Sequence, residues 1–160
     1  MAAALLTLTG LSVLGLGASF VIALVGDTSA DVSRHVLVGV FATMLNLLAH
    51  SLMMFYLIGK GKAVREAVAE GGLDGDYVRR FSALRAPVFA RASIAMAVTM
   101  TAAIIGASVD VRVLPRWPHA LIAALAIASN VVALASEGVA LAGGARLVDD
   151  VNRRLSDVHG

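Results

Sequence analysis

The 160-residue chain has no cysteine, which excludes disulfides, thiolate metal sites, c-type haem attachment and thiol catalysis. Charged residues are scarce: they make up 15% of the sequence, against about a quarter in soluble domains. Aromatic residues make up 5%, and there are three prolines. A soluble fold would have too few charged side chains for its surface. The scarcity of charge therefore indicates that lipid, rather than water, surrounds most of this chain.

Common catalytic motifs are also missing from the sequence. It contains no H-E-x-x-H, no G-x-S-x-G and no glycine-rich phosphate loop, so the sequence favours a protein that is not an enzyme. A nucleic-acid partner is not expected either, because the basic residues flank apolar runs and would be held against a membrane face.

Four long apolar runs dominate what is present. Hydrophobic residues make up 59% of the chain, and the mean hydropathy is +0.85. Runs of this length predict transmembrane helices. We place the spans at about 3–25, 35–59, 88–109 and 119–144, within a single domain covering residues 1–160. The first run lacks the preceding basic residues of a secretory signal, so we interpret it as a retained helix. The fold class is an all-α, polytopic four-helix transmembrane bundle.

Two polar segments flank these spans, a loop at 60–87 and a tail at 145–160. Helical pattern continues past the second span until the Gly71–Gly72 pair, since glycine is typical of helix C-termini. Residues 73–86 then read as a short amphipathic helix, with Pro87 ending it and opening the third span. The sequence thus predicts a helical extension outside the membrane, followed by a separate short helix.

The basic residues are distributed unequally between the two sides of the predicted bundle. Ten lie in or beside the loop and the tail: Lys60, Lys62, Arg65, Arg79, Arg80, Arg85, Arg91, Arg146, Arg153 and Arg154. The opposite side has three, Arg34, Arg112 and Arg116. Because the more positive side faces the cytoplasm, both termini are predicted to be cytoplasmic. The expected location is a bacterial inner (plasma) membrane.

Polar residues inside the spans are the main functional candidates, because they are costly in lipid and often mark functional sites. Asn46 and His50 lie one helical turn apart in the second span. In the fourth span, a heptad-like stripe consists of His119, Ala123, Ala126, Asn130, Ala133, Glu137 and Ala140. By depth, His50 and Glu137 are able to pair across the bundle. Asn46, His50, Asn130 and Glu137 are therefore candidates for a buried polar centre or a proton relay.

A second interpretation of His50 is a metal or haem ligand. Methionine thioethers at Met53, Met54, Met96 and Met100 are candidate partners, because imidazole and thioether together suit haem iron or Cu(I). The cofactor would be haem or a transition metal ion (Cu, Fe or Zn). A homodimer would bring two copies of His50 together as axial ligands.

A weaker metal candidate lies at the opposite face of the bundle. It consists of His35, His119, Asp31 and Asp110, all close to the predicted turns.

Two functions remain open from the sequence. The first is a small integral membrane protein whose centre around His50 binds a metal or haem, or relays protons. The alternative is an accessory or scaffolding subunit of a larger membrane complex without its own chemistry. The expected partners are the lipid bilayer and either further copies of the chain or the other subunits of a complex.

Overall fold

The structure, a computed structural model, describes residues 1–26 and 28–159, apart from the side chains of Asp110, Val158 and His159. Four helices account for almost all of the described chain, and no strand occurs in it. They are α1 (Ala2–Val25), α2 (Ser29–Glu70), α3 (Asp76–Asp110) and α4 (Arg116–His159). Each contains an 18-residue window apolar enough to cross a membrane. The length and composition of all four helices therefore suit an integral membrane protein.

The bundle has two different ends. The short-turn end has the α1–α2 and α3–α4 connections, and the extended end has the α2–α3 connection and both chain termini. α1 has 24 residues, whereas α2 has 42 and α4 has 44. At 1.5 Å per residue, α2 and α4 are roughly 27–30 Å longer than α1. Val64, Val68, Phe81, Leu147 and Val151 bury this extension against one another.

The part of the bundle that contains the four apolar windows has an apolar outer surface. Phe41, Phe55 and Val139 are each about two-thirds exposed, whereas the interior is lined with alanine and polar side chains. Large apolar side chains on the outside are what a lipid environment requires, because every outward residue meets hydrocarbon.

Local sequence explains where α2 begins and ends. Thr28 and Asp31 form a reciprocal capping box at its start, in which each side chain accepts a hydrogen bond from the other residue's backbone N–H. At its end, Gly72 adopts a φ of +62°, and Leu73 N donates to Val68 O at 3.0 Å. Glycine is needed at this position, because a side chain would strain the left-handed backbone.

The prediction of a separate short helix over 73–86 is wrong. α3 runs without a break from Asp76 to Asp110 and passes through Pro87. Proline normally breaks a helix because it lacks an N–H and its ring clashes with the carbonyl four residues earlier. Here Pro87 lies on the exposed side of α3, while Phe81 and Val88 on the opposite side are buried in the core. Packing on both sides of the proline keeps the helix in one piece.

Candidate functional site

All four helices contribute buried polar side chains to one cluster at the centre of the bundle. We call it the polar network, and its members are Ser12, Asn46, His50, Thr99, Asn130 and Glu137. None of these side chains is more than 1% exposed. Polar groups buried this deeply are stable only when they hydrogen-bond one another, because water is not available to them.

Asn130 of α4 is the hub of the polar network. Its Nδ2 donates to Ala126 O at 2.7 Å and to Thr99 Oγ1 at 2.8 Å. Since a backbone carbonyl can only accept, the contact with Ala126 fixes which side of the amide is nitrogen. The Oδ1 atom therefore faces α2, where it accepts from Asn46 Nδ2 at 2.7 Å and lies 2.8 Å from His50 Nε2.

The orientation of Asn130 determines the proton positions on His50. Because Asn130 Oδ1 is an acceptor, Nε2 of His50 has a proton and donates it. The other ring nitrogen, Nδ1, lies 2.6 Å from Glu137 Oε1. A contact this short between two groups that can each accept requires one proton between them, on either the imidazole or the carboxyl group. In both forms the His50–Glu137 pair is neutral overall, which suits its full burial.

Helices α1 and α3 complete the network with hydroxyl groups. Asn46 Nδ2 donates to Ser12 Oγ at 3.1 Å, and Ser12 Oγ donates onward to Thr9 O at 2.7 Å. On the other side, Thr99 Oγ1 accepts from Asn130 and donates to Ala95 O at 2.8 Å. Sequence analysis missed Ser12 and Thr99 as members of the site. Exposed hydroxyl groups, such as those of Thr7 and Thr101, occur in the same helices, and no sequence pattern separates them from the buried ones.

Two buried oxygen atoms of the network lack a hydrogen-bond partner among the described residues. They are Asn46 Oδ1 and Glu137 Oε2. Glu137 therefore uses one carboxyl oxygen on His50 and retains a second that is able to accept or release a proton.

The methionines do not join His50 in a common ligand set. Both nitrogens of the His50 ring are engaged, by Glu137 and Asn130. Met53 is buried in the apolar core, Met96 Sδ faces Ser51 Oγ at 3.9 Å, and Met100 is about half exposed at the bundle surface. Met54 is half-buried and lies outside the polar network. A metal or haem at His50 would have to displace a hydrogen bond that the network already makes.

The residues of the weaker metal candidate meet only in part. The rings of His35 and His119 lie 5.9 Å apart, edge to face. Each ring donates its Nδ1–H to a backbone carbonyl, His35 to Ser19 at 2.9 Å and His119 to Ala102 at 3.1 Å. Asp31 is engaged with Thr28 in the α2 cap, and the side chain of Asp110 lies outside the described residues. Within the described part of the chain, no three His, Asp or Glu residues form a metal-binding group.

A cavity of about 880 Å³ opens at the short-turn end and reaches the polar network. Its floor includes Thr99 and Ala126, the two residues that accept hydrogen bonds from Asn130. His35 and His119 line the cavity nearer to its mouth. Asn130 therefore links the floor of the cavity to His50 through its hydrogen bonds.

No family model, curated protein or solved structure matches this chain.

Proposed function

We propose that this chain is an integral membrane protein whose His50–Glu137 pair takes up and passes on a proton within the bundle. The observation that carries the proposal is the 2.6 Å contact between His50 Nδ1 and Glu137 Oε1, with both side chains fully buried. Histidine and carboxylate groups held together inside a membrane are the usual components of a proton relay. The proton between them can move from one atom to the other without creating a net charge in the lipid.

The surroundings of the pair give the proposed relay a direction. On the side of the short-turn cavity, His50 donates to the amide of Asn130, and a neutral amide does not take up a proton at ordinary pH. On the other side, Glu137 Oε2 has no partner among the described residues. The proton is therefore expected to be exchanged with the extended end through Glu137. Passage to the short-turn side requires the hydrogen bond from Nε2 of His50 to Asn130 to break, so that His50 releases its Nε2 proton while Nδ1 takes the proton shared with Glu137.

Metal or haem binding at His50 is a less favoured alternative to proton transfer. It requires an open coordination position at His50, whereas both ring nitrogens have hydrogen-bond partners. We therefore prefer the proton relay, and we expect the purified protein to be colourless.

Proton passage can be measured with the full chain reconstituted in liposomes that contain a pH-sensitive dye, under an imposed membrane potential. We expect the wild type to acidify the lumen faster than empty liposomes. Both His50→Gln and Glu137→Gln should reduce the rate to that of empty liposomes, because each removes a site for the shared proton. Glu66→Gln is the matched control, since Glu66 is exposed and pairs with Lys62. Equal rates for all four proteins would contradict the proposal.

The position of the proton can be measured separately by ¹⁵N NMR of histidine-labelled protein, with the His50→Gln spectrum used for assignment. The proposal expects Nε2 of His50 to be protonated throughout, whereas the Nδ1 signal shifts when Glu137 is replaced by Gln. An Nδ1 signal that Glu137→Gln leaves unchanged would mean that no proton is shared.

The competing function is a scaffolding subunit whose polar network serves only to hold the helices together. Its support is the extended end, where basic side chains such as Arg65, Arg146 and Arg154 are exposed and available to a partner or to anionic lipid. A scaffold would co-purify with other subunits from its native membrane, and His50→Gln would leave that association intact.

For location, we propose a bacterial inner membrane with the extended end in the cytoplasm, on the basis of the charge distribution.

A further inference from the structure

The cavity at the short-turn end changes character from its floor to its mouth. The floor is polar at Thr99, which belongs to the network. The walls are mainly apolar and include Leu16, Phe20, Val36, Val40 and Ile127. The mouth has two arginines, Arg112 and Arg116. A deep apolar space with a basic rim is the shape of a binding site for an amphiphilic molecule.

The mouth of the cavity has two cationic side chains that make no ion pair with the described carboxylates. Arg112 and Arg116 are both exposed, and neither lies within 4.0 Å of a carboxylate among the described residues. Asp31, the one carboxylate among the described lining residues, is engaged with Thr28 and Arg34. Two guanidinium groups at the rim are therefore available for an anionic ligand, and guanidinium suits a carboxylate through paired hydrogen bonds.

The backbone at Arg112 is a second, independent feature of the mouth. Its φ is +61°, and it is the one non-glycine residue with positive φ in the described chain. It lies just beyond the end of α3, where Val113 N donates to Ser108 O at 2.9 Å. This position in a helix terminus normally has glycine, because other residues are strained there. A strained arginine at a cavity mouth is consistent with a ligand-binding role for its side chain, because strained backbone clusters at functional sites.

We propose that this cavity binds a single-chain amphiphilic carboxylate, with its apolar chain along the walls and its carboxylate between Arg112 and Arg116. The volume of about 880 Å³ lies within the range of roughly 300–1,000 Å³ typical of small-molecule sites. This site does not depend on proton transfer by His50 and Glu137, and it adds a ligand to the function proposed above.

Binding can be measured with the full chain in nanodiscs of zwitterionic lipid, using tritiated dodecanoate and subtracting the counts of empty nanodiscs. We expect saturable binding at one site per chain that unlabelled dodecanoate displaces. Dodecanol, which has the same chain without the charge, should displace the label at least about tenfold less effectively. Equal displacement by the acid and the alcohol would overturn the proposal, because the arginines would then have no role.

Two variants test the rim, and a third is the matched control. Arg116→Gln and Arg112→Gly should each weaken dodecanoate binding about fivefold, as expected for the loss of one partly exposed charge pair. Arg112→Gly also relieves the backbone strain, so the variant should fold at least as well as the wild type. Arg65→Gln removes an exposed charge at the extended end, away from the cavity lining, and it should bind as the wild type does. Unchanged binding in both rim variants would contradict the proposal.

The single tryptophan reports where the ligand lies. Trp117 follows Arg116 and is 69% exposed. We expect 2-bromododecanoate, whose bromine is next to the carboxylate, to quench its fluorescence in a way that dodecanoate reverses. A bromine at the far end of the chain, as in 12-bromododecanoate, should quench less, because that end would lie deeper. Stronger quenching by the 12-bromo compound would reverse the proposed orientation and remove the carboxylate from the arginines.

Discussion

At the scale of single residues, Asn130 has more influence on this structure than its size suggests. Its amide uses both donor hydrogens and both acceptor positions, and through them it contacts α2, α3 and its own helix. It also fixes the proton on Nε2 of His50, and so directs the other ring nitrogen to Glu137. The sequence indicated that these residues belong to a polar centre. It did not indicate that an amide would set the state of the imidazole.

Replacement of Asn130 by Ala is expected to destabilise the protein by about 3 kcal/mol, because it leaves the donors of Asn46 and His50 buried without acceptors. Ser129→Ala is the control, since Ser129 donates only to a carbonyl within its own helix and its loss should cost less than about 1 kcal/mol. Unfolding in mixed micelles with increasing denaturing detergent measures the difference. Similar costs for the two variants would mean that the network does not hold the helices together.

At the scale of the helices, the sequence predicted well that four helices exist and roughly where each one lies, because four long apolar runs are compatible with few other structures. The alanine stripe of α4 also faces inward as its spacing indicated, with Ala126, Ala133 and Ala140 buried beside the polar network. Sequence reasoning could not supply the rotation of one helix against another, which decides whether Ser12 and Thr99 reach the asparagines. A hydroxyl that can bond its own backbone carbonyl gives no sequence signal for a longer-range role.

Pro87 shows how packing overrides a local signal, and the continuity of α3 leads to a prediction. In the interior of a helix, proline lacks the backbone N–H that would donate a hydrogen bond. Pro87→Ala should therefore restore the hydrogen bond to the carbonyl of Ala83. The variant is expected to be more stable by about 1–3 kcal/mol. If Pro87 instead began a separate helix, where proline is favoured, the same change would be neutral or destabilising. Thermal unfolding followed by circular dichroism distinguishes the two results.

The end of α2 gives a second prediction at this scale. Gly72→Ala should destabilise the extended end by about 1 kcal/mol, because its φ of +62° is strained for any residue with a Cβ. Gly75→Ala is the matched control: Gly75 has a φ of −60° and no atom within 4 Å of a new Cβ. Hydrogen exchange of the α2–α3 connection measures the local effect. Equal exchange rates in the two variants would contradict a strained turn at Gly72.

At the scale of the whole molecule, the ten-to-three distribution of basic residues predicts orientation, and the absence of cysteine makes the test simple. Single cysteines at Ser29 and Ser156 would mark the two ends, and both side chains are exposed. In intact spheroplasts, a membrane-impermeant maleimide should label Ser29→Cys and not Ser156→Cys. Labelling of both cysteines should appear after the membrane is permeabilised. The reverse pattern in intact cells would place the extended end outside.

The long sequence separations in the polar network have a consequence for how the chain is made. Asn46 and His50 belong to the second helix to leave the ribosome, yet their partners Asn130 and Glu137 follow 80 to 87 residues later, in the last one. Until α4 is synthesised, Asn46 has only its contact with Ser12 of α1, and His50 lacks both of its partners. We therefore expect a chain that stops before α4 to be less stable than the full chain, because the side chains of α2 would lack the hydrogen-bond partners that α4 supplies.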